Sequence, residues 1–160
     1  MAVKFEDNTE KIKEKLHGII SAWMEEVFSE LHTQTVKKSR TGDGQTKGSY
    51  QYRVVENEGR VEGYLGSNLE NAIWEEFGTG EYALNGKGRK SPWYILVDGY
   101  KGKKRPTYNG KVVIVYGKDG KRFYKTNGKK PNRPMRKAYN QNNRKKMLKV
   151  LSEKLNQAFR

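Results

Sequence analysis

Asn68-Leu69-Glu70-Asn71-Ala72-Ile73-Trp74-Glu75-Glu76-Phe77, followed by Gly78-Thr79-Gly80, is a dense apolar cluster in a polar chain. Leu69, Ile73 and Phe77 recur every four residues, with Trp74 beside Ile73. That is the spacing of one apolar face on a short helix. Gly78 follows the last periodic residue, where a helix end commonly needs a left-handed residue. On this reading Ile73, Trp74 and Phe77 plug the core, and Glu75 and Glu76 point elsewhere.

Upstream, Asp7-x-x-Glu10 has the capping-box form. Ile12, Leu16, Ile19/Ile20, Trp23, Val27 and Leu31 then keep a helical spacing, which predicts a helix over about 8–36. Residues 37–47 are polar and glycine-bearing and read as a loop. From Gly48 the period becomes two: Tyr50, Tyr52 and Val54 alternate with Gln51 and Arg53, turn at Asn57-Glu58-Gly59, and continue through Val61, Gly63 and Leu65. This predicts a hairpin of about 48–56 with 60–66, and Gly66-Ser67-Asn68 then caps the central helix.

Downstream, short strands are expected at 93–97, 111–116 and 121–125, the last with Phe123 inward and a turn at Gly117–Gly120. Flexible basic loops separate them, at about 80–92, 98–110 and 126–133. Pro134 opens a final helix, whose polar middle, Asn140–Lys146, is a place to kink or project. The order predicts one α+β domain over residues 1–160: a mostly antiparallel sheet of about five strands, a long N-terminal helix, a short central helix and a C-terminal helix.

Hydrophobic residues make up 34% of the chain and charged residues 32%, so the core is thin and the aromatics carry much of the burial. Without Cys there is no disulfide or thiolate metal site. No apolar run is long enough for a membrane helix, and the N-terminus does not read as a signal peptide. Net charge is +15, unevenly placed. Residues 1–80 hold 10 Lys+Arg against 14 Asp+Glu, net −4; residues 81–160 hold 23 against 4, net +19. Two readings follow. The basic half touches nucleic acid or another polyanion, or the acidic half of one copy meets the basic half of the next in a head-to-tail ring.

Catalytic and cofactor motifs fail on spacing. Gly78-x-Gly80-x-x-Ala83 mimics a dinucleotide fingerprint but follows a helix and opens a loop, the wrong context for a pyrophosphate. Adjacent helical residues point about 100° apart, so Glu75 and Glu76 cannot face one substrate as an acid/base pair. His17 and His32 are the only histidines and read as surface or edge-of-core residues. No enzyme activity, metal or cofactor is expected. Lys87, Arg89, Lys90, Lys101, Lys103, Lys104 and Arg105 are the candidate basic contacts. With Trp93, Tyr100 and Tyr108 interleaved, they suit a basic module acting through non-specific phosphate contacts.

Several pieces taken together resemble one family: Arg40-Thr41-Gly42; Gly66-Ser67-Asn68; Ala72-Ile-Trp-Glu75-Glu76-Phe77-Gly78-Thr79-Gly80; Trp93-Tyr94; and Thr126-Asn-Gly128-Lys-Lys-Pro131-Asn-Arg133-Pro134-Met135. In order, over roughly residues 8–158, they are similar to the head–tail joining proteins of long-tailed bacteriophages, the tail-completion or neck proteins also labelled minor tail components. The resemblance implies an α+β subunit of a six-fold homo-oligomeric ring between head-closure proteins and the tail tube or tail terminator. It implies a place in the virion neck, with assembly in the host cytoplasm, and no catalysis. It assigns subunit-positioning roles to Glu75, Glu76, Phe77, Gly78, Thr79 and Gly80, and to Gly128, Pro131, Arg133 and Pro134. Arg136 and Lys137 ahead of Ala138, and the long basic 98–125 segment, depart from the family pattern.

Overall fold

An Asp7 carboxylate accepts the Thr9 N–H at 2.9 Å and opens a 30-residue helix, α1 (Thr9–Lys38). Lys37 and Lys38 in its last turn suit the negative helix end. The computed structural model describes residues 6–40, 44–57, 59–102 and 104–160. Thr41, Gly42, Glu58 and Lys103 of the sequence reading lie outside the described residues.

The remaining elements are α2 (Gln45–Gly48), β1 (Tyr50–Asn57), β2 (Arg60–Ser67), α3 (Glu70–Phe77), β3 (Trp93–Leu96), β4 (Val113–Tyr116), β5 (Arg122–Thr126), α4 (Pro134–Ala138) and α5 (Gln141–Ala158), with a 3₁₀ turn at Gly80–Tyr82. The protein is α+β, and the described residues form five antiparallel strands. They divide between two sheets, β1-β2 and β3-β5-β4, rather than joining one. The final helix is broken, because the Asn140 side chain accepts the Asn143 N–H at 2.9 Å and starts α5 afresh. Gln45–Gly48, read as loop, is one helical turn.

The packing resolves into two compact units. The first holds Met1–Thr33, Gln51–Gly66 and Tyr139–Arg160; the second holds Gln34–Tyr50 and Ser67–Ala138. In the first, the apolar stripe of α1 is half-buried from Leu16 to Val27, Leu31 is fully buried and Ile12 is exposed. Gly63 leaves room for the Phe28 ring, which a side chain there would overlap. The Trp23 indole donates to the Met147 carbonyl at 2.9 Å, and Lys154 pairs with Glu26 at 2.8 Å.

In the second unit β5 is central. Ile95 and Ile114 flank Tyr124, and Leu96 and Val115 flank Phe123. Tyr124 and Thr126 are the buried residues of β5 and Phe123 is only half-buried, so the expected inward residue is corrected by one position. The cause is Tyr100, whose ring packs edge-on against Tyr124 at 5.5 Å. A one-residue shift moves a side chain to the opposite sheet face.

Candidate functional site

The central helix forms where the spacing predicts, but it is turned the other way. Ala72, Glu75 and Glu76 are buried, the two acids 2% and 6% exposed. Ile73, Trp74 and Phe77 face outward at 59%, 45% and 53% exposure. The expectation that these apolar residues plug the core is overturned. A buried carboxylate is costly unless it is paired and hydrogen-bonded. Glu75 is both, and Glu76 is hydrogen-bonded to two backbone N–H groups.

Glu75 takes the Arg40 N–H on Oε1 at 3.1 Å and the Lys129 ammonium on Oε2 at 2.7 Å. Its backbone carbonyl accepts the Asn132 and Arg133 N–H groups at 2.8 and 3.2 Å. Burial pushes the Glu75 carboxyl up, but the Lys129 and Arg40 hydrogen bonds and charges outweigh it and hold it below the usual carboxylate range. Glu76 takes the Met135 N–H on Oε2 at 3.0 Å and the Arg136 N–H on Oε1 at 3.2 Å. These amides open α4, where the first N–H groups have no helical acceptor. Pro134 before them is fully buried and has no N–H to satisfy. Beside the pair, burial pushes the Tyr50 hydroxyl up, as do the charges of Glu75 and Glu76, against a Ser39 hydrogen bond that lowers it.

The loop after α3 is bound to the same distant segment. Gly78 has the expected positive φ, +75°, but its ψ of 177° lies outside the left-handed helical region. Thr79 N–H donates to the Lys129 carbonyl at 2.9 Å, and Thr79 Oγ1 accepts the Lys129 N–H at 3.0 Å. Glu81 N–H donates to the Asn127 carbonyl at 3.0 Å. Gly80 (φ +60°) and Gly128 (φ +119°) lie where these strands of chain cross: a Cβ at Gly80 would overlap the Asn127 carbonyl and the Trp93 ring, and one at Gly128 the Thr79 carbonyl. Only glycine fits such a left-handed, crowded position. Pro131 packs against Gly78, and Arg133 is held left-handed at φ +60°.

Glu75, Glu76, Gly78, Thr79, Gly80, Gly128, Pro131, Arg133 and Pro134 are therefore brought together, while Phe77 turns outward. Segment 126–133, read as a flexible loop, is pinned by these bonds. Four members had no role assigned from the sequence: Arg40, Asn127, Lys129 and Asn132. Asn127 is buried and its amide donates to Glu81 Oε2 at 2.7 Å, Asn109 Oδ1 at 2.9 Å and Tyr82 Oη at 3.3 Å. Asn132 donates to the Lys38 carbonyl at the end of α1 at 2.7 Å, and the Arg40 guanidinium donates to the Lys130 carbonyl at 2.9 Å. Asparagines beside Gly128 and Pro131 were the available signal, since Asn favours irregular, side-chain-bonded backbone.

The remaining charge is arranged differently from its sequence halves. The first unit carries 12 Lys+Arg against 11 Asp+Glu, net +1; the second carries 21 against 7, net +14. Lys87, Lys90, Lys101, Lys104 and Arg105 are exposed and form no ion pair with a described residue. Arg89 is exposed over the Trp93 ring at 5.7 Å.

Among the described residues no cluster of three or more His, Asp or Glu could hold a metal ion, and no helix is long and apolar enough to cross a membrane. Comparison with protein-family models, curated proteins and solved structures finds no match to this chain.

Proposed function

We propose that the chain is a structural subunit of a tailed phage or prophage particle, a ring-forming head–tail joining component between head-closure proteins and the tail tube. One observation carries the reading. The two segments that hold its most specific likeness, 50 residues apart at Thr79 and Lys129, interlock as a single unit. Their glycines, prolines and acids all serve to hold backbone against backbone. The outward Ile73, Trp74 and Phe77 stripe also suits a subunit covered by other proteins, since contiguous exposed apolar surface marks interaction sites.

Charge contributes less than its sequence distribution suggests. The acids of α1 share a unit with basic α5, and that unit sums to net +1. The test is deletion of the gene from its source genome, with electron microscopy of the resulting particles. Filled heads and free tails, unjoined, are expected. Particles that join normally, or the absence of any phage-like particle in the undeleted source, would overturn the proposal.

A further inference from the structure

We propose that the second unit binds the phosphate backbone of double-stranded DNA through the two loops carrying Lys87, Arg89 and Lys90, and Lys101, Lys104 and Arg105. The two loops flank β3, and sheet register sets their aromatic anchors on one face. Trp93 pairs with Thr126 and Ile95 with Tyr124, so Trp93 and Tyr124 lie on one face of the sheet, diagonal neighbours. The first loop is anchored to Trp93 by the Arg89 guanidinium, and the second to Tyr124 by the Tyr100 ring. The Tyr100 hydroxyl closes the second loop by donating to the Lys104 carbonyl at 2.8 Å. Six cations thus project from two loops tied to one sheet face.

The unit does not neutralise them itself. Glu75 and Glu76 are buried in the lock, Glu81 holds Asn127, Asp98 pairs with Arg122 at 3.0 Å, and Asp119 pairs with Lys121 at 2.7 Å. Among the described acids of this unit only Glu70 is left over. A surface with this much unpaired positive charge gains from releasing the counterions of a polyanion.

Charge density favours the duplex over a single strand. Trp93, Tyr108 and Tyr82 each have a cation of the same chain over the ring: Arg89 at 5.7 Å, Lys125 at 4.2 Å and Lys130 at 5.5 Å. One face of each of these three rings is thus taken, while Tyr94 and Tyr116 of the same unit are exposed. Duplex DNA keeps its bases inside and offers one charge per about 1.7 Å of axis.

The proposal stands apart from the assembly role, and either can fail alone. The test is fluorescence anisotropy of the whole chain with a labelled random duplex, its single strand, anionic vesicles and polyglutamate, over a salt series. Micromolar duplex binding at low salt is expected, tighter than single-strand binding. The triple variant Lys101→Gln, Lys104→Gln, Arg105→Gln should lower the slope of log K against log salt by up to about 2.7, at about 0.9 per lost contact. Arg144→Gln, Lys145→Gln, Lys146→Gln removes three equally exposed charges from α5 in the near-neutral first unit and should leave the slope unchanged. No duplex binding at low salt, equal losses from both variants, or equal binding to vesicles or polyglutamate would overturn the proposal.

Discussion

The two units of this chain are stabilised in opposite ways. The first is nearly neutral, net +1, and packs a long half-buried apolar stripe with acidic α1 and basic α5 in one body. The second is net +14, yet its most buried groups include two carboxylates, and its apolar helix face looks outward. Hydrophobic pattern therefore locates the core of the first unit and mislocates that of the second. Where many backbone N–H groups need acceptors in a glycine-rich crossing, carboxylates displace Trp and Phe from the interior.

Small substitutions sharpen that contrast. Gly128→Ala should have the largest effect, about 4 kcal/mol of destabilisation in urea unfolding, because the new Cβ meets a backbone carbonyl at a left-handed position. Gly63→Ala in the first unit should cost less, about 1–3 kcal/mol, because only the Phe28 ring must move. Equal costs would remove the distinction between a backbone lock and side-chain packing.

Acid separates the units further. The folded Glu75 pKa lies below its ordinary value of 4.5. Its stabilisation is therefore full above that value and is lost as pH falls through the lower folded pKa. Glu75→Gln should destabilise at pH 7, and its deficit against the parent chain should shrink as pH drops below about 4.5. Stability measured from pH 7 to pH 3 checks this; a deficit constant with pH would contradict it. The smallest effect is expected at Gly18, in mid-helix with nothing within 4 Å of an added Cβ. Gly18→Ala should stabilise by about 1 kcal/mol, read as a higher unfolding midpoint.

Much of the fold was legible because local rules and tertiary structure agree there. The spacing in α1 locates that helix within two residues of its end, and period-two alternation finds the hairpin and the β4–β5 turn. The α3–Gly78 boundary was equally legible, since the positive φ is a local demand. The rotation of α3 was not. Its two candidate stripes, Leu69/Ile73/Phe77 and Ala72/Glu75/Glu76, are separated by hydrophobicity alone unless the acceptor needs of Arg40, Met135 and Arg136, distant in sequence, are known. Most residues named from the motif lie together in the structure, with Phe77 turned outward. Their mutual contact depends on Asn127, Lys129 and Asn132 acting across 50 residues, and no local period encodes that.

The central claim is that α3 is held by its acids and not by its aromatic stripe. Urea unfolding of Glu76→Ala beside the double variant Ile73→Ser, Phe77→Ser tests it most directly. Loss of two charge-assisted hydrogen bonds predicts about 3 kcal/mol or more for Glu76→Ala, against a change within about 1 kcal/mol for the double variant at its exposed positions. The reverse order, with the double variant unfolding the chain and Glu76→Ala nearly silent, would contradict the account.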